Sequence, residues 1–295
     1  MSRKSVIILT GLAALLASTG LWFVGSTEEN SGLHAAYEIE RPLHWRIEVR
    51  NDSNQVLEQV SINSFIPVPE SWQQYLENLE SDYPVELVTD NNRHPFARVL
   101  IDRIPPYGQR EIRLTADLLM ADAGQIPVEN ASDEWLTPEP LVESDHPDII
   151  QLASRLQRPE AADSAYAIYR WLVREIDDAG YDPVDRGALY AFKERQGDCT
   201  EYASLAVALA RAMELPARMV GGYVVPESGH LSFHAFHAWA EILVDDRWVI
   251  VDGQRRDYDP DPFGYVVTHY GVRSARNMAW DRFFTSDPDI TLSMQ

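Results

Sequence analysis

The spacing of apolar residues changes near residue 146, and no other feature of the sequence constrains the fold as much. Before that point apolar and polar residues alternate, and this period of two predicts strands that bury one face. The clearest alternating apolar positions are Leu43, Trp45, Ile47 and Val49. Further strands are predicted at 56–66, 85–89, 97–104 and 110–118, separated by turn-forming residues. Several short strands of this kind predict an antiparallel β-sandwich over residues 35–122.

The second half of the chain begins with a helical pattern and then returns to strands. Apolar residues that share one helix face are Ala161, Ala165, Ile168, Leu172 and Ile176. Other helices are predicted at 148–157 and from 199 to about 213, and strands at 217–225, 236–244 and 248–252. Helices followed by antiparallel strands indicate an α+β domain. We therefore predict a linker rich in Pro, Glu and Asp at 123–146 and a second domain at 147–295.

The first 25 residues, 1–25, have the pattern of a signal peptide or an N-terminal membrane anchor. Ser2-Arg3-Lys4 precedes an apolar run from Val6 to Val24, which is about the length of a bilayer-spanning helix. We favour an anchor over a cleaved signal because no small-x-small cleavage site is evident. A positive flank stays in the cytoplasm, so we expect the rest of the chain to be extracytoplasmic, either periplasmic or on the cell surface.

Composition excludes one class of partner and isolates one reactive side chain. The net charge of −21 argues against nucleic-acid binding, because phosphate contacts need clustered Lys and Arg. Cys199 is the one cysteine in the chain, so no intramolecular disulfide can form. A lone thiol in an exported protein is exposed to oxidation. Its presence suggests a chemical role, although a buried thiol also serves as a small apolar side chain.

Cys199 is predicted to lie at the start of a helix. Asp198 is a favourable N-cap, and Glu201 three residues later completes a capping-box pattern. A thiol on the first helical residue feels the positive end of the helix dipole, which favours the thiolate, whereas the neighbouring carboxylates oppose it. The helix that follows is apolar on nearly every side, which predicts a central, buried helix that holds the thiol rigidly.

His237 and Asp252 lie on two predicted strands that a turn at Asp245-Asp246 joins. With a two-residue or four-residue loop, Trp239 faces Asp252, and His237 lies diagonal to Asp252 on the same face. Diagonal neighbours are about 7–8 Å apart, which is within reach of a His–Asp hydrogen bond. A three-residue loop would place Asp252 on the opposite face and separate the pair.

Several motifs in this half resemble the core of the transglutaminase-like superfamily. They are Gly197-Asp198-Cys199, Leu215-Pro216-Ala217-Arg218 with Gly222-Tyr223, His237-Ala238-Trp239-Ala240-Glu241, and Trp248-Val249-Ile250-Val251-Asp252. They occur in the family's order and at family-like spacing, and the resemblance covers roughly residues 145–275. It implies an α+β papain-like or transglutaminase-like core, in which a central Cys-bearing helix packs on an antiparallel sheet. A β-sandwich ahead of the core is also similar to many bacterial members.

The resemblance implies that Cys199, His237 and Asp252 form a catalytic triad for acyl transfer on amide bonds. The Cys199 thiolate would attack a carbonyl carbon, His237 would hold it as an ion pair and protonate the leaving amine, and Asp252 would orient His237. The implied substrate is a protein or peptide, with no cofactor, and both hydrolysis and transamidation remain open. A catalytically silent module that binds or scaffolds envelope components is the alternative, which an intact triad disfavours. Because all three residues follow Leu141, we expect residues 140–295 to keep a reactive thiol alone.

Two metal-site interpretations of the sequence are rejected. The spacing that suggests them belongs to His230, His234 and His237, and to Asp257, Asp259 and Asp261. On a strand His234 and His237 would point to opposite faces, and no carboxylate-rich ligand set accompanies them. In the aspartate series Pro260 and Pro262 interrupt the loop, and no glycine lies at the turn that a calcium loop needs. We therefore predict no metal ligand.

Overall fold

The computed structural model describes residues 37–89, 94–121, 133–225, 229–271 and 282–295, together with the backbone of residues 22–23. The strands of the first half are β1 (Trp22–Phe23), β2 (Tyr37–Asn51), β3 (Leu57–Phe65), β4 (Gln74–Ser81), β5 (Val85–Thr89), β6 (Pro95–Ile104) and β7 (Gln109–Ala121). The helices of the second half are α1 (Pro147–Leu156), α2 (Ala161–Glu175), α3 (Gly187–Glu194) and α4 (Cys199–Ala212). Its strands are β8 (Asp177–Asp178), β9 (Gln196–Gly197), β10 (Ala217–Val224), β11 (Phe236–Val244), β12 (Arg247–Asp252), β13 (Asp257–Tyr258), β14 (Tyr265–Tyr270), β15 (Phe283–Phe284) and β16 (Ile290–Met294).

The first half is the predicted β-sandwich. Its two antiparallel sheets have the strand orders β1-β4-β7-β2-β16 and β15-β3-β6-β5. The alternating residues of β2 all face inward, and Ile47 and Val49 have no solvent-exposed surface. They pack on residues of the opposite sheet such as Ile62 and Val99 in one core. The period of two is therefore produced by a sheet that buries one face against another.

Strand β4 is absent from the sequence prediction, and a β-bulge explains why. Its pairing with β7 shifts register between Leu76 and Asn78. The buried apolar residues Leu76 and Leu79 are consequently three positions apart instead of two. A bulge inserts one residue and breaks the alternation by which strands are recognised in a sequence.

The second half is a helical layer on a five-stranded antiparallel sheet of order β13-β12-β11-β10-β14. Helix α4 packs on β10 and β11 and contacts α1, α2 and α3. Every side chain from Glu201 to Arg211 is buried. This confirms the α+β fold and the central, Cys-bearing helix that the sequence predicts. Helix α3, which the sequence analysis did not predict, begins at Gly187, whose φ of +83° suits glycine.

The last two strands return to the sandwich. Strand β15 pairs with β3, and β16 pairs with β2 along its length from Asn51 to Ile47. Ile290, Leu292 and Met294 pack against the sandwich core. This differs from the prediction that the second domain continues to residue 295, because two short strands far from their partners carry no signal of where they will pair. The sandwich is thus built from two separate parts of the chain, and the helical core lies between them.

A segment between β3 and β4 docks on β14, which is an edge strand of the second sheet. The backbone N–H of Val68 donates to the carbonyl of Val267 at 2.9 Å. The Gln74 side chain accepts from Val267 N at 2.8 Å and donates to Val267 O at 2.9 Å. Next to it, the Gln73 side chain donates to the carbonyl of Tyr265. Both glutamines are fully buried, so these bonds form a specific junction between sandwich and core.

The predicted export segment lies outside the described residues, except for the backbone of β1, which pairs with β4. Of the predicted linker, residues 133–146 are described and include a 3-10 helix at Asp133–Leu136. Among the residues that the structure describes, none of the helices has both the length and the apolar character required to cross a bilayer.

Candidate active site

Cys199 is the first residue of α4, and the predicted capping box holds it there. The Asp198 carboxylate accepts from Thr200 N at 2.8 Å, and Glu201 accepts from Asp198 N at 3.1 Å. Gly197 is required before the cap, because a Cβ at this position would lie 2.3 Å from Cβ of Glu201. The local sequence thus fixes the thiol at the N-terminus of a rigid helix.

The same two carboxylates also bind the loop that precedes α3. The second oxygen of Asp198 accepts from Asp182 N at 3.0 Å. The second oxygen of Glu201 accepts from Arg186 N at 2.7 Å and from Gly187 N at 3.3 Å. Glu201 is 2% exposed, so its carboxylate is buried but satisfied. The cap of α4 therefore holds both the thiol and an adjoining loop in place.

His237 and Asp252 are brought together by the hairpin of β11 and β12. Val244 pairs with Arg247 and Ala240 with Val251, which confirms the predicted two-residue turn. The two turn residues have positive φ, as the commonest two-residue hairpin turn requires. His237 Nε2 lies 2.7 Å from Asp252 Oδ2, and both side chains are buried. The diagonal pair that the register predicted is therefore a short hydrogen bond.

Asp252 has two further donors that the sequence does not reveal. The backbone N–H of Arg255 donates to Oδ1 at 3.1 Å. The Tyr265 hydroxyl lies 3.2 Å from Oδ2, the same oxygen that His237 contacts. Tyr265 comes from β14, which is at the opposite edge of the sheet from β13 and is not adjacent to β12. No local motif marks this tyrosine, because its contact with Asp252 depends on the assembled sheet.

The thiol lies beside the strand that carries His237. The backbone N–H of Ala238, the next residue of β11, donates a hydrogen bond to the Cys199 sulfur. Because Asp252 engages Nε2 of His237, Nδ1 is the ring nitrogen that this contact leaves unoccupied. The structure thus brings all three predicted residues to one place, the junction of α4 with β11 and β12.

The environment of Cys199 favours the neutral thiol. Burial raises the pKa of Cys199, the Asp198 charge raises it further, and Asp252 and Glu201 add to the effect, while the Ala238 N–H lowers it. These carboxylates oppose the positive end of the α4 dipole. A neutral thiol needs a base to become a nucleophile.

The histidines and aspartates considered as metal ligands are separated or occupied by protein partners. His230 stacks on His44 with ring centroids 5.1 Å apart, and His234 lies exposed in a 3-10 helix instead of on a strand. Asp259 forms a two-point ion pair with Arg247. Within the described part of the chain, no three His, Cys, Asp or Glu side chains are grouped to hold a metal ion.

The segment that carries this site matches a known family. Residues 150–253 match the family described as the Transglutaminase-like superfamily. The match begins in α1, ends one residue after Asp252, and contains Cys199 and His237 as well. The chain therefore contains a domain of the transglutaminase-like superfamily, as its motifs indicated.

One solved structure has a similar fold. A protein of Cytophaga hutchinsonii that is described provisionally as a cysteine protease superposes with a TM-score of 0.54 at 18% identity. The similarity covers 87% of this chain and 92% of that one, so it includes sandwich and core alike. At this identity it establishes the fold alone.

Two further structures are similar at lower scores. The periplasmic domain of TgpA from Pseudomonas aeruginosa has a TM-score of 0.38 and 16% identity, and the similarity covers 84% of this chain and 95% of that one. A provisionally described protease of Parabacteroides distasonis has a TM-score of 0.34 and 13% identity, with 73% and 43% covered. These two similarities are too weak to carry an argument. A comparison with curated proteins finds no match.

Proposed function

We propose that this protein is a cysteine-dependent acyl-transfer enzyme that acts on amide bonds of proteins or peptides. The observation that carries the proposal is the 2.7 Å contact between His237 and Asp252 beside a cysteine at a helix N-terminus. A nucleophile, a base and a group that orients the base are the parts that nucleophilic acyl transfer requires. The three come from different elements of one rigid core, so their geometry does not depend on a loop.

The reaction proceeds in two half-steps. His237 takes the proton from the Cys199 thiol as sulfur attacks the carbonyl carbon, and the backbone N–H of Cys199 is placed to stabilise the oxyanion. The C–N bond then breaks, His237 gives the proton to the leaving amine, and a thioester remains on sulfur. Water or a second amine next attacks the thioester with His237 as base, which restores the thiol and releases an acid or a new amide. Asp252 keeps the imidazole oriented and stabilises its charged form.

A second candidate is a silent member of the superfamily that binds or scaffolds envelope components. The raised pKa of the Cys199 thiol favours this candidate, because a protonated thiol is inert without a working base. Against it stands the 2.7 Å bond between His237 and Asp252, two buried polar side chains for which a binding module has no need.

We further propose that the domains act outside the cytoplasm and that the N-terminal segment contacts the membrane. The support is the sequence alone, namely the basic flank Ser2-Arg3-Lys4 followed by the apolar run to Val24. A fusion of a reporter that is active only in the cytoplasm to the C-terminus tests this. The fusion is expected to be inactive, and an active reporter would refute the proposed location.

The activity is tested with p-nitrophenyl acetate, an activated ester that reports acylation of sulfur. The wild-type protein is expected to release a burst of nitrophenolate and then turn over steadily. Cys199→Ser should abolish both phases without unfolding the protein, and His237→Ala should slow them by about 10²–10⁴-fold. His234→Ala, which removes an exposed histidine, is the matched control and should behave as the wild type.

Acylation of His237→Ala at the wild-type rate would show that the thiol reacts without its base, and the silent module would then be the better reading. The natural substrate is sought separately, by incubating the protein and Cys199→Ser with a cell-envelope extract and identifying the species that only the wild type changes. The same products distinguish hydrolysis, which yields a free carboxylate, from transamidation, which yields a new amide.

A further inference from the structure

The Tyr265 hydroxyl lies between two carboxylates. It is 3.2 Å from Asp252 Oδ2 and 3.0 Å from Asp257 Oδ2. A phenolic hydroxyl has one proton to donate, so it satisfies one of these carboxylates at a time. Burial raises the pKa of Tyr265, and the charges of Asp252 and Asp257 raise it further, so the hydroxyl stays protonated at any working pH.

The two carboxylates differ in their other partners. Asp257 lies 3.4 Å from the Arg255 guanidinium, which offsets its charge near the surface. Asp252 is buried at 2% exposure, and its remaining donors are His237 and the backbone N–H of Arg255. A buried carboxylate with few donors gains more from an added hydrogen bond than a half-exposed ion-paired one. A hydrogen bond from the Tyr265 hydroxyl therefore stabilises the Asp252 carboxylate more than the Asp257 carboxylate.

Tyr265 is held rigidly enough to act in this way. Its ring packs edge-on against Trp239 with centroids 5.1 Å apart, and both side chains are buried. Its backbone pairs with Val224 of β10 on one side, and its carbonyl accepts from Gln73 of the sandwich. The hydroxyl thus has a fixed position relative to the β11–β12 hairpin.

We propose that Tyr265 is a positioning residue for the acyl transfer proposed above, on which this inference rests. Its hydroxyl donates to Oδ2 of Asp252 and so fixes the carboxylate in the orientation that accepts from His237 Nε2. Asp257 is the competing acceptor, and it determines the fraction of time for which the hydroxyl donates its hydrogen bond to Asp252. Tyr265 and Asp257 act through Asp252 and His237 and do not touch the reacting atoms.

The inference is tested with Tyr265→Phe, which keeps the ring and removes the hydroxyl. With p-nitrophenyl acetate we expect about a tenfold lower kcat and an unchanged KM, because misorientation of the base slows the chemical step and leaves binding intact. Tyr223→Phe is the matched control, since it removes a buried hydroxyl from the same sheet. The Tyr223 hydroxyl contacts Met294 and not Asp252. The two variants should have similar thermal unfolding midpoints.

A spectroscopic signature reports the hydrogen bond directly. The proton between His237 Nε2 and Asp252 Oδ2 gives a far-downfield NMR resonance, and His237→Ala assigns it by removing it. In Tyr265→Phe the resonance should move further downfield, because Oδ2 loses one donor and accepts more strongly from His237. Tyr223→Phe should leave it in place. A resonance that does not move in Tyr265→Phe would overturn the inference.

A double-mutant cycle tests the part assigned to Asp257. Asp257→Asn should change kcat in the wild-type background and have no effect in the Tyr265→Phe background, because its influence passes through the hydroxyl. Additive effects would overturn this part of the inference. If the wild type is acylated and Tyr265→Phe has the same kcat, the positioning role fails while the proposed function stands. If the wild type is not acylated at Cys199, the proposed function fails first and the role in acyl transfer fails with it.

Discussion

The thiol of Cys199 is surrounded by groups that favour its protonated form. It is partly buried, and Asp198, Asp252 and Glu201 place negative charge around it, so the pKa of Cys199 is raised. A preformed ion pair between thiolate and imidazolium, which the family resemblance implied, is at odds with this environment. In the enzyme that we propose, the proton leaves sulfur during attack on the substrate and not before.

This environment predicts slow alkylation of Cys199. At pH 8 iodoacetamide should modify the folded protein more slowly than free cysteine, because a higher pKa leaves less thiolate. Asp198→Asn should accelerate the reaction, by about tenfold for each unit of pKa that the lost charge restores. Asparagine caps helices as well as aspartate does, so α4 should stay intact, although the bond from Asp182 N to the second oxygen of Asp198 is lost. The rate is measured by intact mass, which is unambiguous for a chain with one cysteine.

Asp163→Asn, which removes an exposed charge from α2, is the control and should leave the alkylation rate unchanged. Alkylation of the wild type faster than free cysteine at pH 7 would contradict the prediction and would support a resting ion pair between Cys199 and His237.

At the residue scale, the sequence predicts contacts between neighbouring positions and misses contacts that form only when distant segments come together. The cap by Asp198 and Glu201 is visible because all its atoms lie within four positions of one another. The second partners of these carboxylates, from Asp182 to Gly187, are invisible because a separate loop supplies them. Tyr265 is missed for the same reason, since nothing in its neighbourhood along the chain indicates a contact with Asp252.

At the scale of elements, the hairpin of β11 and β12 shows how far register can be predicted. A two-residue turn links the strands, so turn length and side-chain alternation alone place His237 and Asp252 on one face. Strand β4 could not be predicted from the alternation of apolar and polar residues, because its bulge breaks that alternation. Short elements such as α3 carry too few turns of helix for a periodic signal.

The junction at β14 makes the sandwich a structural part of the core. The buried Gln74 side chain satisfies both the N–H and the carbonyl of Val267, in the strand that also carries Tyr265. We expect Gln74→Ala to lower the free energy of unfolding by about 2 kcal/mol, because buried backbone groups would lose their partner. Urea unfolding monitored by tryptophan fluorescence measures this. Gln55→Ala, which shortens an exposed glutamine of the sandwich, should change stability by less than about 0.5 kcal/mol.

If Gln74→Ala proves as stable as Gln55→Ala, the junction is not a specific contact.

The junction also argues against the expectation that residues 140–295 would keep a reactive thiol alone. In that fragment β14 loses Val68 and Gln74, and Glu241 loses the Trp72 indole that donates to it at 3.1 Å. Each of these buried groups would lose a hydrogen-bond partner in the fragment.

At the scale of the whole molecule, a buried histidine at the junction of the two halves couples stability to pH. His269 of β14 has no solvent-exposed surface, and its ring lies 5.6 Å from that of His94 and 6.1 Å from Phe65 of the sandwich. Burial lowers the pKa of His269 well below 6.5, and the nearby His94 lowers it further. The folded protein therefore holds this imidazole neutral in conditions where the unfolded chain would protonate it.

The sign of the pH dependence follows from this difference. Above pH 6.5 both states hold the imidazole neutral, and the full stability is present. Below pH 6.5 the unfolded state gains a proton that the native state refuses, so stability falls by up to about 1.4 kcal/mol per pH unit until the native pKa is reached. His269→Phe should lose less stability than the wild type between pH 6.5 and 5. Urea unfolding at each pH measures the slopes.

His234→Phe is the control for this prediction, because it removes an exposed histidine and should keep the wild-type slope. Equal slopes for the wild type and His269→Phe would show that carboxylates alone determine the acid sensitivity.

The chain-wide connectivity was the part of the fold that the sequence could not predict. Alternation identified a sandwich, yet it gave no means of knowing that strands at 283–284 and 290–294 would join it. Hairpins are specified by a turn between neighbouring strands, whereas these strands find their partners only when the intervening core has brought them near.

The pairing of β16 with β2 also determines when the sandwich can finish folding during translation. Asp52 and Thr291 are hydrogen-bonded although 239 positions separate them, so the sandwich cannot be completed until β16 has been synthesised. A polypeptide released before residue 282 would already contain Cys199, His237 and Asp252. It would also expose the unpaired backbone of β2 and β3, on which other nascent chains can add strands. Incomplete products should therefore aggregate, and the complete fold should accumulate only from chains translated through β16.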